Sequence, residues 1–190
     1  GTIPLSPTND TTPSWTWSSG GENYGKYRRS WNGSTWTNTA STSYTPSLSE
    51  GTYTLYIQER DQAGNWSSSR TDSVTIDTTA PTVSSFAINS GNPAYATDRY
   101  VTLYIASGAE TPAYMRFQNS GDNWSSWYSY STSKSWSLPS GDGYKYVYAQ
   151  VMDDAGNISS SASDYIYLDE TDPIVSSFSV NSGATTTTSQ

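Results

Sequence analysis

Apolar and polar residues alternate along much of this chain. In Tyr53-Thr-Leu-Tyr-Ile-Gln58 and Val147-Tyr-Ala-Gln-Val151, side chains two apart face the same way, which predicts strands. Ser14-Trp-Thr-Trp17, Tyr27-Arg-Arg-Ser-Trp31 and Ser67 to Asp77, through Val74 and Ile76, read the same way. No run shows the 3.6-residue period of a helix. Turn residues separate the runs: Gly20-Gly21, Asn32-Gly33 and Asp61-Gln-Ala-Gly-Asn-Trp-Ser67. Ile3 and Leu5 suggest a short edge strand before Pro7.

The last of these turns returns as Asp153-Asp-Ala-Gly-Asn-Ile-Ser159, 92 residues later, so the chain is a tandem repeat. Gly20, Arg28, Gly33 and Trp36 map by 88 residues onto Gly108, Arg116, Gly121 and Trp124. Gly51, Asp61, Gly64, Asn65 and Asp77 map by 92 onto Gly143, Asp153, Gly156, Asn157 and Asp169. Four extra residues therefore lie between Trp124 and Gly143, which predicts a variable, aromatic loop around Trp127 to Lys134. The offset of 92 runs on through Pro81-Thr-Val-Ser-Ser-Phe86 and Pro173-Ile-Val-Ser-Ser-Phe178. The expected organisation is a first domain over 1–79 with its first strand short or missing, a second over 80–171, and the opening strand of a third over 172–190. Val175 and Phe178 would then be exposed, and residues 173–180 are candidates for strand exchange with a neighbouring molecule.

Composition supports thin two-sheet cores. Among 190 residues, 33% are hydrophobic, yet 16 Tyr, 8 Trp and 3 Phe supply bulk. Charged residues make up only 14%, and the formal net charge of −8 argues against nucleic acid or an anionic membrane as partner. No stretch is apolar enough to insert in a membrane as a helix. The absence of Cys leaves stability to packing. Gly1 reads as a cloning scar on a piece of something longer.

The motif Asp-x-Ala-Gly-Asn-x-Ser after a Tyr-x-Leu-Tyr-Ile strand, the Ile76-Asp-Thr-Thr-Ala-Pro81 junction and Pro7-Thr-Asn-Asp-Thr-Thr-Pro-Ser-Trp-Thr-Trp17 together resemble the bacterial immunoglobulin-like tandem repeats of large surface and secreted proteins and adhesins. The resemblance implies an all-β fold of two tandem immunoglobulin-like Greek-key sandwiches, extracellular or on a bacterial cell surface, with neighbouring repeats as partners. It also implies a tyrosine corner. Tyr53 stands where one would, but its counterpart is Lys145, so Tyr144 or Tyr146 would have to serve.

Catalysis finds little support: the chain has no His and no Cys, Lys26, Lys134 and Lys145 lie in polar surroundings, and no carboxylate pair sits in an evident apolar pocket. Two binding chemistries remain. Asp77, Glu110, Asp153, Asp154 and Asn157 are candidate ligands for Ca²⁺ at the pole where the two domains meet; alternatively the aspartates bond only their own turn amides. Trp127, Tyr128 and Tyr130, in the unmatched loop, are candidates for binding a cell-surface glycan or a protein receptor. Trp15, Trp17 and Trp36 align with Leu103, Ile105 and Trp124, as core positions do. Arg28 and Arg116 share a strand position and are expected to stack on an aromatic ring. The reading that follows is a structural or adhesive spacer segment, with a carbohydrate- or receptor-binding module as the alternative.

Overall fold

The computed structural model describes residues 6–21, 25–91 and 94–179. The edge strand expected at Ile3 and Leu5 and the tail from residue 180 lie outside the described residues. Among the described residues everything regular is strand, apart from one short 3-10 turn at Asn89–Gly91.

The second repeat is the fuller of the two. Its larger sheet has five strands, in the order β11 (Tyr128–Ser129), β10 (Tyr114–Asn119), β13 (Gly143–Met152), β14 (Ala162–Leu168) and β8 (Tyr95–Ala96). Facing it is a sheet of β12 (Ser133–Ser137), β9 (Tyr100–Ser107) and β7 (Val83–Ile88). The alternation places Val147, Ala149 and Val151 inward from β13, against Leu103 and Ile105 from β9 and the fully buried Phe117 from β10. Only β8 runs parallel to its neighbour, Leu168 lying opposite Ala96.

The first repeat has the same plan with less in it. One sheet orders β3 (Thr37–Thr39), β2 (Tyr27–Ser30), β5 (Gly51–Glu59) and β6 (Arg70–Ile76); the other is the pair β1 (Trp15–Thr16) and β4 (Ser43–Tyr44). Trp15, Leu55, Val74 and Ile76 form its core. Thr8 makes the parallel bridge to Ile76 that Ala96 makes to Leu168, and the offset of 88 between Thr8 and Ala96 shows that the entry segments correspond.

Three expectations change. Residues 128 and 129 of the inserted stretch are paired, Ser129 with Tyr114, so part of the variable loop is an edge strand. Tyr144 and Tyr146 point to solvent and form no corner. Tyr53 and Lys145 instead each tie back to the loop before their strand, Tyr53 Oη to Ser49 Oγ at 3.0 Å and Lys145 Nζ to the Ser140 carbonyl at 3.3 Å. Trp36 and Trp124 are not core residues: both are half-buried and lie over arginines.

Candidate functional site at the junction between the repeats

Each Asp-x-Ala-Gly-Asn turn closes the hairpin between the two long strands of its sheet and is knotted by one Asp–Asn pair. In the second repeat, Asp153 Oδ1 accepts from the Asn157 backbone N–H at 2.9 Å, and Oδ2 accepts from Asn157 Nδ2 at 3.0 Å. Asp61 and Asn65 repeat this at 2.7 and 3.0 Å. The glycine between them must adopt a left-handed backbone, φ +97° at Gly64 and +91° at Gly156, where a side chain would be strained. The bonds from Asn65, with smaller contributions from the turn amides, hold the Asp61 carboxyl below its usual range.

What separates the two turns is the neighbour. The other N–H of the Asn157 amide donates to the backbone carbonyl of Asp77 at 2.9 Å, and the Asn9 N–H donates to the Ala155 carbonyl at 3.1 Å. Asn9 and Asp77 belong to the entry segment and the last strand end of the first repeat, which are themselves joined, Asp77 N–H to the Thr8 carbonyl at 3.0 Å. The second repeat's turn therefore clasps both chain ends at the lower pole of the first. Asp153 and Asn157 become 6% and 9% exposed, whereas Asn65 stays open to solvent.

The linker leaving each repeat is latched by an acid. Glu50 Oε2 accepts from the hydroxyls of Thr78 and Thr79 at 3.1 and 2.9 Å, and Asp77 Oδ1 accepts from the Thr79 N–H at 3.0 Å. At the second linker Asp142, 92 positions on from Glu50, accepts from the Thr171 hydroxyl at 2.7 Å and the Glu170 N–H at 2.7 Å. Asp169 accepts from Thr171 N–H at 3.2 Å. These bonds lower the Glu50 and Asp142 pKa values; for Glu50 the Thr79 hydroxyl is the main cause, for Asp142 the Thr171 hydroxyl. Nothing in the turn motif announces the latches. The signal was available in the acids that precede Gly51 and Gly143 in both copies.

Of the five candidate metal ligands, the structure brings together Asp153, Asn157 and the main chain of Asp77. The Asp153 oxygens accept from Asn157 and the Asp77 side chain accepts from Thr79. Asp154 and Glu110 are exposed. No group of three or more acidic side chains is disposed to hold a metal ion among the described residues.

The aromatic candidates each have an internal partner. The Arg28 guanidinium lies between Trp36 and Trp66, at 4.5 and 4.3 Å from the ring centroids; Arg116 lies between Trp124 and Trp127, at 4.8 and 4.4 Å. The second repeat has Ile158 where the first has Trp66, and Trp127 from the inserted stretch takes the vacated side of the sandwich. Each arginine also donates through Nε to a glutamine on the adjacent strand, Gln58 at 2.7 Å and Gln150 at 3.0 Å. Tyr128 lies under Lys134 at 3.9 Å, and Tyr130 packs on the core with its hydroxyl accepting from Ser107 N–H at 3.1 Å. The freely presented aromatics are elsewhere. Tyr144, Tyr146, Tyr165 and Tyr95 are exposed on the outer face of the five-stranded sheet; Tyr144 meets Tyr165 and Tyr167 edge-on, Tyr95 meets Tyr167 edge-on, and Tyr146 lies tilted against Tyr165. The alternation Tyr144-Lys-Tyr146 and Tyr165-Ile-Tyr167 carried that signal.

Residues 6–78 match the family model described as bacterial Ig-like domain. Among solved structures, the chain is similar to the fibronectin(III)-like modules of Clostridium thermocellum CbhA, at 14% identity and a TM-score of 0.55, over 87% of this chain and 90% of that one. It is also similar to the chicken CNTN1 FN1–FN3 domains, at 11% identity and a TM-score of 0.50, over 88% of this chain and 69% of the other. At these identities the likeness is one of fold. None of the curated proteins matches it in sequence.

Proposed function

We propose that the chain, whose residues 6–78 match the bacterial Ig-like domain model, is a non-catalytic structural repeat segment of an extracellular bacterial surface protein, a spacer that holds other parts of the molecule at a set distance. The observation that supports this reading is the clasp at the junction. Asn157 and Ala155 of one repeat bond to Asp77 and Asn9 of the other, so the short Thr78-Thr-Ala-Pro81 linker does not act alone. A linker of this length, latched at Glu50 and bridged on both chain ends, restricts the hinge. The experiment is measurement of residual dipolar couplings on the whole chain. One alignment tensor fitting both repeats supports the spacer; two independent tensors contradict it.

The adhesive reading has one observation in its favour, the exposed tyrosines of the second repeat. Tyrosine presents an apolar face and a hydroxyl at low entropic cost, which suits neutral glycans or protein receptors. Screening the chain on a glycan array against the Tyr144→Ser, Tyr165→Ser variant tests it: binding lost in the variant supports adhesion through this face. Calcium held by Asp77, Asp153 and Asn157 together with the exposed Glu110 and Asp154 would require the first three to leave the partners described above, and ligand contact through Trp127, Tyr128 and Tyr130 would require those rings to leave Arg116, Lys134 and Ser107.

A further inference from the structure

The two repeats share a plan and differ on one face. On the outer side of its larger sheet the first repeat carries Thr52 and Thr54 on β5, opposite Thr75 and Ser73 on β6. Their hydroxyls pair across the strands, Thr52 with Thr75 at 3.0 Å and Thr54 with Ser73 at 2.8 Å. The offset of 92 carries Thr52, Thr54, Ser73 and Thr75 to Tyr144, Tyr146, Tyr165 and Tyr167. The register is kept, Tyr144 opposite Tyr167 and Tyr146 opposite Tyr165. Tyr95 on β8 adds a fifth ring opposite Tyr167, where the offset of 88 places Pro7 in the first repeat. A ladder of hydroxyls in one repeat is thus a layer of rings in the other.

The fold does not require those rings, because the first repeat pairs the same two strands with the ladder alone. Nor does a following repeat hide this face. With the second repeat bonded to Asp77, Thr52 and Ser73 of the first are still exposed.

Size and charge narrow the occupant. Tyr144, Tyr95, Tyr165 and Tyr146 are 64, 62, 57 and 44% exposed. At roughly 200 Å² for a whole side chain they offer about 450 Å², near half of the ~800 Å² that each partner gives to a stable protein interface. That area suits a few stacked sugar rings better than a protein. The intervening Lys145 and Asp164 alternate to the other side, where Lys145 Nζ donates to the Ser140 carbonyl and Asp164 Oδ2 accepts from the Ile88 N–H at 2.8 Å. Next along the ring face come Tyr148 and Ser163, opposite each other. The patch is therefore uncharged, on a chain whose formal net charge of −8 repels polyanions. Rings on three adjacent strands make an open platform, which a long chain can cross but which encloses no chain end. Ring contacts at 5.1 to 5.7 Å between centroids hold the tyrosines in place, so little side-chain freedom is lost on binding.

We propose that Tyr95, Tyr144, Tyr146, Tyr165 and Tyr167 bind an internal segment of a neutral polysaccharide. The rings cover the apolar faces of the sugars, and the phenol hydroxyls bond to sugar hydroxyls. The proposal rests on the adhesive reading and narrows it to one ligand class.

Affinity electrophoresis of the whole chain tests it, in gels containing galactomannan, hydroxyethylcellulose, xylan or soluble starch, with alginate as the acidic polymer. The comparison is with Tyr144→Thr, Tyr146→Thr, Tyr165→Ser, Tyr167→Thr combined, which installs the ladder that the first repeat folds with. Tyr144→Thr alone, at the most exposed of the five rings, carries the comparison should the combined variant unfold. The wild type is expected to be retarded by at least one neutral polysaccharide, at low and high salt alike, and not by alginate. The combined variant is expected to lose about tenfold or more in affinity, and Tyr144→Thr part of that. A wild type that no neutral polysaccharide retards, retardation by alginate alone, or folded variants retarded as strongly as the wild type would overturn the proposal. Binding of a short arrayed glycan or a protein receptor through these tyrosines, without retardation, would overturn it and leave the adhesive reading standing. No binding in either assay would remove both.

Discussion

Asn157 spends one amide N–H on Asp153, inside its own turn, and the other on the carbonyl of Asp77, at the end of the preceding repeat. One side chain thus couples the shape of a hairpin to the placement of a neighbouring domain. Replacing it with Ala removes both bonds and leaves Asp153 with a buried, underpaired carboxylate. The expected cost is about 1–3 kcal/mol in the second repeat, read as a lower midpoint by calorimetry. Asn65→Ala, at an exposed turn, is expected to cost less than Asn157→Ala.

The arginine sandwiches predict a rescue. Trp127→Ala strips one face of Arg116 and is expected to cost about 0.5–1 kcal/mol. Ile158→Trp in that background supplies the ring from the position used by Trp66 in the first repeat, and should recover most of the loss in chemical denaturation. A double variant no more stable than Trp127→Ala would show that the two ring positions are not equivalent.

Acid should loosen the linkers before it unfolds the cores. Glu50, Asp61 and Asp142 have depressed pKa values in the folded chain, chiefly through the Thr79 hydroxyl, the Asn65 amide and the Thr171 hydroxyl respectively. Their contribution is therefore complete above the ordinary carboxylate values, 4.5 for Glu and 3.8 for Asp, and is lost as pH falls through the lower folded values. Carboxyl titration by NMR should show these three protonating below the ordinary value for their residue type. Ordinary values at Glu50 and Asp142 would contradict the latch.

Calcium and EDTA are expected to give the same unfolding midpoints. The Asp153 oxygens and the Asp77 carboxylate already accept hydrogen bonds from Asn157 and Thr79. Ligand at about 100 times its dissociation constant would add roughly 2.7 kcal/mol, a shift of several degrees. A shift of that size, abolished by Asp153→Asn, would place calcium at the junction.

Much of the fold was legible because period-two alternation and turn glycines are local signals. Val147, Ala149 and Val151 fall inward as the pattern requires, and Gly64 and Gly156 have the positive φ that such a turn needs. The repeat offsets located the insertion, and they now relate Thr8 to Ala96 and Glu50 to Asp142. The side of the sheet taken by each aromatic was less legible. Trp36 and Trp124 align with each other whether they are core residues or flank an arginine, because a repeat keeps either role. The reach of Asn157 to the Asp77 carbonyl could not be read from residue types, since its acceptor is main chain.

The most direct test of the clasped junction is a pulsed electron-spin distance measurement between one label on each repeat, in the wild type and in Asn157→Ala. A narrow distribution in the wild type that broadens in the variant is the predicted result. A wild-type distribution already as broad as the variant's would mean that the bonds from Asn157 and Asn9 do not fix the repeats, and the spacer account would fall.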